Sequence, residues 1–340
     1  MSDVELDAVV APPVEDPLGV LSATAPVVRA ARLVRLSRPA VEALAARWAA
    51  SPWPEQAGLD ALHFADGTPR TANWVLLLDE LNFCFWADEP GGPRWRVEWR
   101  GQTLDGYAAL AAALTRAIEE GAPLWDAAYL AAFDAETLRH ILRPAPNSPE
   151  IPLFDARLAN ARETGRVLLE RYGGQFTNAI EAGERSAPAL ALLLARDFPS
   201  FADVATWQGR TVPFLKRAQI CVADLHAAFH GESWGAFTDL GDLTAFADYK
   251  LPQLLRREGV LEYAASLAAR VDSYEPISAG SEEEIEIRAA TIWAVELLRR
   301  ALARCGIARP ASAIDFRLWA ESQAKLPGEQ PYHRTRTIYY

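Results

Sequence analysis

Past Tyr107 the chain keeps returning to one pattern, apolar side chains three and four residues apart in a background of Ala, Leu and Glu. The pattern covers about 107–120, 125–142, 155–172, 185–196, 212–230, 252–270 and 283–304. An α-helix turns every 3.6 residues, so each stretch carries one apolar stripe that must be buried against another element. The body of the protein is therefore helical. Gly173 and Gly174 follow Arg171 and Tyr172 as a helix C-cap does, and Pro252 opens a run that Gly259 closes. Upstream, residues 1–28 are rich in Pro, Ala and Asp and are expected to form a flexible N-terminal segment ahead of a helical Val27–Ala50. The aromatic run Trp74–Trp86 and the alternating Arg94–Trp99 predict two or three short strands. The fold expected is mainly α with a small β-hairpin element, one domain over 29–340.

Charge narrows the function classes. Acidic residues outnumber basic ones 45 to 34, a formal net charge of −11, so a duplex DNA partner is disfavoured. No apolar run approaches the roughly 20 residues that span a bilayer, and acids stand where a signal peptide needs basic residues. A cytoplasmic monomer with no membrane and no obligate protein partner is the expectation. Cys84, Cys221 and Cys305 show no paired spacing and are read as core filler. The five histidines are scattered, and no phosphate-cradling glycine loop, His-Glu-x-x-His or Gly-x-Ser-x-Gly occurs. Only three of the 34 basic residues are lysines, Lys216, Lys250 and Lys325.

Two stretches exceed what a packed helix requires. In PFLKRAQICVAD, Lys216 and Gln219 share a face with Ala223. In DLTAFADYKLPQ, Asp248 lies four residues before a proline suited to a first helical turn, where unpaired N–H groups favour a carboxylate. The plainer reading of Asp248 is that it merely caps that helix.

The blocks FLKRAQICVADL, TAFADYKLPQLL, EIEIRAATIWAVELL, NWVLLLDELNFCFW, WRGQTLDGY and PYHRTRTIYY closely resemble the queuosine salvage protein family, in order from about His63 to Tyr340. The resemblance implies hydrolysis of queuosine 5′-phosphate to queuine and ribose 5-phosphate, for queuine salvage into tRNA modification. It also implies a fold similar to helical DNA glycosylases, with no metal or organic cofactor. The family's active-site lysine and aspartate map onto Lys216 and Asp248. The chain departs from DNA glycosylases in lacking their glycine-rich hairpin, reading LPQLLRREGVL after Tyr249 and Lys250.

The chemistry required agrees with this. Cleaving a ribosyl C–N bond builds positive charge at C1′, which calls for a fixed anion and a base for water; Asp248 suits both. A 7-deazaguanine leaving group must meet its charge through donors to the six-membered ring, for which Arg288 is a candidate. Carboxylates for the base edge and the side-arm amine are sought in Asp79, Glu286 and Glu296, with Asn82 in the same block as Asp79. Aromatic walls are sought in Phe83, Phe85, Trp86, Tyr249 and Trp293. The 5′-phosphate needs cations, expected from His333, Arg334 and Arg336 beside Tyr332, Tyr339 and Tyr340, with Lys216 and His63 as further contacts. The tail is expected to dock but to add little stability. Two other readings remain open, a non-catalytic nucleotide-binding or RNA-associated module, and a glycosylase acting on bases in nucleic acid.

Overall fold

A computed structural model describes residues 10–54, 60–324 and 328–340. Among them are fourteen α-helices and three two-stranded antiparallel sheets. They form two compact units, each built from separated stretches of chain.

The first unit takes the described residues of Met1–Glu55, Asp203–Gln219 and Asp239–Thr337. Its axis is the helix Glu282–Arg304, started by Ser281, whose side chain accepts the Glu284 N–H, and by Glu282, Glu283 and Glu284 in the first turn. The helix is buried on nearly every face from Glu284 to Leu298, and its buried Glu284, Glu286, Arg288 and Glu296 all have polar partners. Helices Val20–Ala30, Arg38–Ala49, Lys250–Arg257 and Ala311–Ser322 pack on it. Strand Val34–Leu36 pairs with Leu261–Tyr263, and Val204–Trp207 pairs with Arg210–Pro213. The second hairpin turns at Gln208 and Gly209, with φ of 47° and 76°. Two positive values in succession fit a tight turn that matches strand twist.

The second unit takes the described residues of Gln56–Ala202, Ile220–Thr238 and Ile338–Tyr340. Helix Phe154–Tyr172 ends at Gly173 in the left-handed conformation, as the sequence suggests. Its Gly165 lies against the short helix Ala127–Ala131: a Cβ there would sit 2.2 Å from the Ala131 nitrogen and 2.5 Å from the Ala127 oxygen. The hairpin Arg96–Trp99 with Gln102–Asp105 appears where alternation predicts it.

Several expectations change. Trp74 onward is not a strand but lies in helix Pro69–Glu80, capped by Thr68 and buried on all faces from Thr71 to Glu80. A helix with no polar face leaves no 3.6-residue period, so a continuous apolar run reads equally as a strand. Residues 20–28, assigned to the flexible segment, belong to helix Val20–Ala30 and bury Val20, Leu21, Val27 and Val28. The run at 125–142 divides into Ala127–Ala131 and Ala135–Ile141, because Asp134 caps a new start by accepting the Thr137 N–H. The run at 252–270 is interrupted by strand Leu261–Tyr263. Cys84 and Cys221 are buried, whereas Cys305 is exposed. Among the described residues no helix is long and apolar enough to cross a membrane.

Candidate active site

The first unit gathers three chain segments around Lys216. Asp203, just before the hairpin Val204–Pro213, accepts the N–H groups of Phe214 (2.9 Å) and Leu215 (3.1 Å) at its main-chain oxygen. Its Oδ2 accepts the Lys216 N–H at 3.0 Å, so it caps the helix Lys216–Ala228 from a distance in sequence. Gln219, one turn on, accepts the Thr244 N–H at 2.7 Å and donates to the Phe214 carbonyl at 3.0 Å. This ties the segment leading to Asp248 onto the helix start.

Asp248 is half-buried. Its Oδ1 accepts the N–H groups of Lys250 (2.7 Å) and Leu251 (2.9 Å), the first turn of Lys250–Arg257. The capping role and a chemical role are thus compatible, since Oδ2 takes no hydrogen bond among the described residues. Burial raises the Asp248 pKa, against which the Lys216 charge, the two N–H groups and Lys250 act. The buried Asp315, on helix Ala311–Ser322, accepts the Phe246 N–H at 2.7 Å. Burial pushes its carboxyl well above the usual range; the Phe246 N–H opposes, the Asp248 charge adds, and Lys216 opposes. Two carboxyls therefore share the influence of one buried ammonium. Beside them the Tyr249 and Tyr332 rings lie 4.9 Å apart, with the Lys250 Nζ 5.3 Å over Tyr332.

In the second unit His63 Nε2 lies 2.9 Å from the Tyr107 hydroxyl, which donates to Asp224 Oδ2 at 3.1 Å. Burial, with the charges of Asp224 and Asp79, holds the Tyr107 phenol well above its ordinary pKa. Asp79 is fully buried and its Oδ1 accepts from Asn82 at 3.4 Å. Phe83 and Phe85 stack under the Arg157 guanidinium at 4.2 and 5.5 Å.

With this geometry in place, comparison with known sequences is decisive. The pattern described as Queuosine salvage protein matches residues 62–340. The chain belongs to that family. A queuosine 5′-phosphate N-glycosylase/hydrolase of Sphaerobacter thermophilus is 52% identical over 330 residues, 96% of this chain and 98% of the relative. Proteins of the same description are 37% identical in Mus musculus, over 87% of this chain and 89% of the relative, and 37% identical in Schizosaccharomyces pombe, over 82% and 86%.

Within this member of the queuosine salvage family the residues singled out from sequence divide. Lys216, Asp248 and Tyr249 fall in the first unit's cluster; His63, Asp79, Asn82 and Phe83 fall in the second unit. Others have structural partners. Glu286 accepts the N–H groups of Arg32 (3.1 Å), Leu33 (2.7 Å) and Val34 (3.1 Å). Trp293 donates to the Thr24 hydroxyl at 3.0 Å, and Glu296 holds Arg299 and Arg300. Arg288 is bound to Asp203 at 2.8 and 2.5 Å. Phe85 and Trp86 are buried in the core.

The tail is docked. His333, Arg334, Thr335 and Tyr340 are buried, Tyr339 is half-buried, the Arg334 carbonyl accepts from Ile277 at 2.9 Å, and the Tyr340 oxygen accepts from Cys84 at 2.9 Å. Burial and the Arg288 charge push the His333 ring down to about 3, which favours its neutral form over the cation sought there. A tail this buried also contributes to the core, contrary to the small stability effect expected of a terminal strip.

Sequence inspection passed over Asp315, Asp203, Tyr107 and Asp224. For Asp315 a signal exists. Ala311, Ile314, Asp315 and Leu318 recur at i, i+3, i+4 and i+7, all buried, so a carboxyl occupies a core position of an amphipathic helix.

Proposed function

We propose that this protein hydrolyses the N-glycosidic bond of queuosine 5′-phosphate, releasing queuine and ribose 5-phosphate. The observation that carries this is the 52% identity, over nearly the whole of both chains, to a protein described by that reaction. The cluster around Lys216 supports it chemically. Asp248, anchored through Oδ1, offers Oδ2 to the positive charge growing at C1′ and to the proton of an attacking water. Lys216 favours the anion against the burial that opposes it. Asp315, whose carboxyl is pushed by burial well above the ordinary range toward its protonated form, is the donor available to the leaving base. Two carboxyls with environments that separate their pKa values make an acid and base pair. The water oxygen bonds to C1′, the C–N electron pair leaves with the base and is met by the Asp315 proton, and the water proton passes to Asp248. The net change is addition of one water.

In the same reading, Tyr249 with Tyr332 provides an aromatic surface, and Lys250 provides a cation for the 5′-phosphate in place of His333. A cytoplasmic setting fits a mononucleotide substrate, and the net charge of −11 favours it over a duplex. The test is turnover. Purified protein incubated with queuosine 5′-phosphate and EDTA should release free queuine, detected by mass. Binding without release would favour a non-catalytic module, and equal cleavage of an intact oligonucleotide would favour a nucleic-acid glycosylase.

A further inference from the structure

One buried ion pair touches the backbone on both sides of the proposed centre. Asp203 Oδ2 accepts the Lys216 N–H at 3.0 Å, and its two oxygens hold Arg288 at 2.8 and 2.5 Å. Arg288 continues the chain of contacts, its Nε donating at 3.2 Å to the carbonyl of Ala247, the residue before Asp248. The guanidinium is fixed on its other sides by the Phe214 ring, 4.0 Å away, and by Glu284 at 3.6 Å. Asp203 also receives the N–H of Leu215, whose φ of 54° is a conformation a branched residue adopts only when its surroundings impose it. That residue aims the first turn of the Lys216 helix.

Resting on the glycosidase reading above, we propose that Asp203 and Arg288 are positioning residues that set the separation of Lys216 from Asp248. A buried ion pair is a poor source of stability, since desolvating two charges costs about what their attraction returns. Its yield here is geometric: three hydrogen bonds from one rigid fork, and one capping bond, define where two reactive side chains start. The separation matters because the Lys216 charge opposes the desolvation of Asp248, and misplacement by about 1 Å can cost on the order of 10² in rate. The charged groups acting on Asp248 are Lys216, Lys250 and Asp315; those around Arg288 are Asp203, Glu284 and the neutral ring of His333.

The test is Asp203→Asn, read by titrating Asp248 in protein labelled with ¹³C-aspartate, its resonance assigned by loss in Asp248→Asn. If the bracket positions Lys216, the Asp248 midpoint rises by about one pH unit, and kcat falls about tenfold or more with KM little changed. The sign discriminates. Removing the Asp203 charge and leaving Arg288 uncompensated would, by Coulomb attraction alone, move the midpoint down. A midpoint that stays or falls, with kcat retained and only the melting temperature lowered, overturns the proposal. Should Asp203→Asn fail to fold, Asp203→Glu keeps the charge on Arg288 while displacing the carboxylate by one methylene, and the same rise and loss of kcat are expected; an unchanged midpoint and kcat overturn the proposal. Absence of queuine release by the wild-type protein would instead sink the glycosidase reading, leaving the titration to judge the bracket.

Discussion

Asp197 and Asp315 are both buried aspartates, and their surroundings push them in opposite directions. Asp197 receives Arg171 at 2.7 Å, Arg196 at 2.8 and 2.9 Å, and the Tyr172 hydroxyl, and its carboxylate falls to about 2. Asp315 rises well above 3.8 through burial first and the Asp248 charge second, with the single Phe246 N–H and Lys216 opposing. A carboxylate ringed by donors is finished chemistry: nothing remains for it to accept. A carboxyl pushed toward its protonated form, with one bond made, keeps the capacity to donate. Both side chains have little exposed surface, but burial is the leading influence at Asp315 and the Arg196 hydrogen bond the leading one at Asp197, and that difference separates a structural aspartate from the proposed acid.

Substitutions sharpen the contrast. The largest effect is expected at Asp248→Asn, which keeps an oxygen for the Lys250 and Leu251 N–H groups but loses the charge; queuine release should fall by about 10²-fold or more with the melting temperature near wild type. Wild-type turnover in this variant would remove Asp248 from the mechanism. Next, Asp315→Asn keeps an acceptor for Phe246 but loses the proton, and kcat should fall about tenfold, with the alkaline limb of the pH–rate profile lost. Stability responds oppositely. A raised pKa means the unfolded chain ionises first, so Asp315 weakens the fold as pH climbs above 3.8; the Asn variant should match wild type in acid and melt no lower at pH 7. Asp197→Asn should leave kcat unchanged and cost about 1 kcal/mol in urea unfolding at pH 7, modest because both arginines are largely solvated. The smallest effect is in acid. With its pKa lowered, the Asp197 contribution is complete above 3.8 and disappears as pH falls to about 2, so the two proteins should converge there.

Legibility followed periodicity. Helices with one wet face, such as Phe154–Tyr172 and Gly106–Glu119, were readable because the polar face prints the period. Pro69–Glu80 was not, being dry on all sides. At the site, Lys216 and Asp248 stood out through the blocks that resemble the family. Asp315 hid as a single acid on an apolar stripe, and Asp203 and Arg288, 85 residues apart, meet only through tertiary packing that no local pattern records. Glu286 shows the converse, an acid that looked chemical in sequence and proves to hold backbone N–H groups.

That last contact sets a clock. Glu286 receives the Arg32 N–H across 254 residues, so the segment it secures leaves the ribosome long before its partner exists. At about 5–20 residues per second the wait is roughly 10–50 s. During it Val20, Leu21, Val27 and Val28 cannot reach the helix they will pack against, and the nascent chain presents them to its surroundings. That exposure is a vulnerability of synthesis, which an equilibrium melting curve does not register.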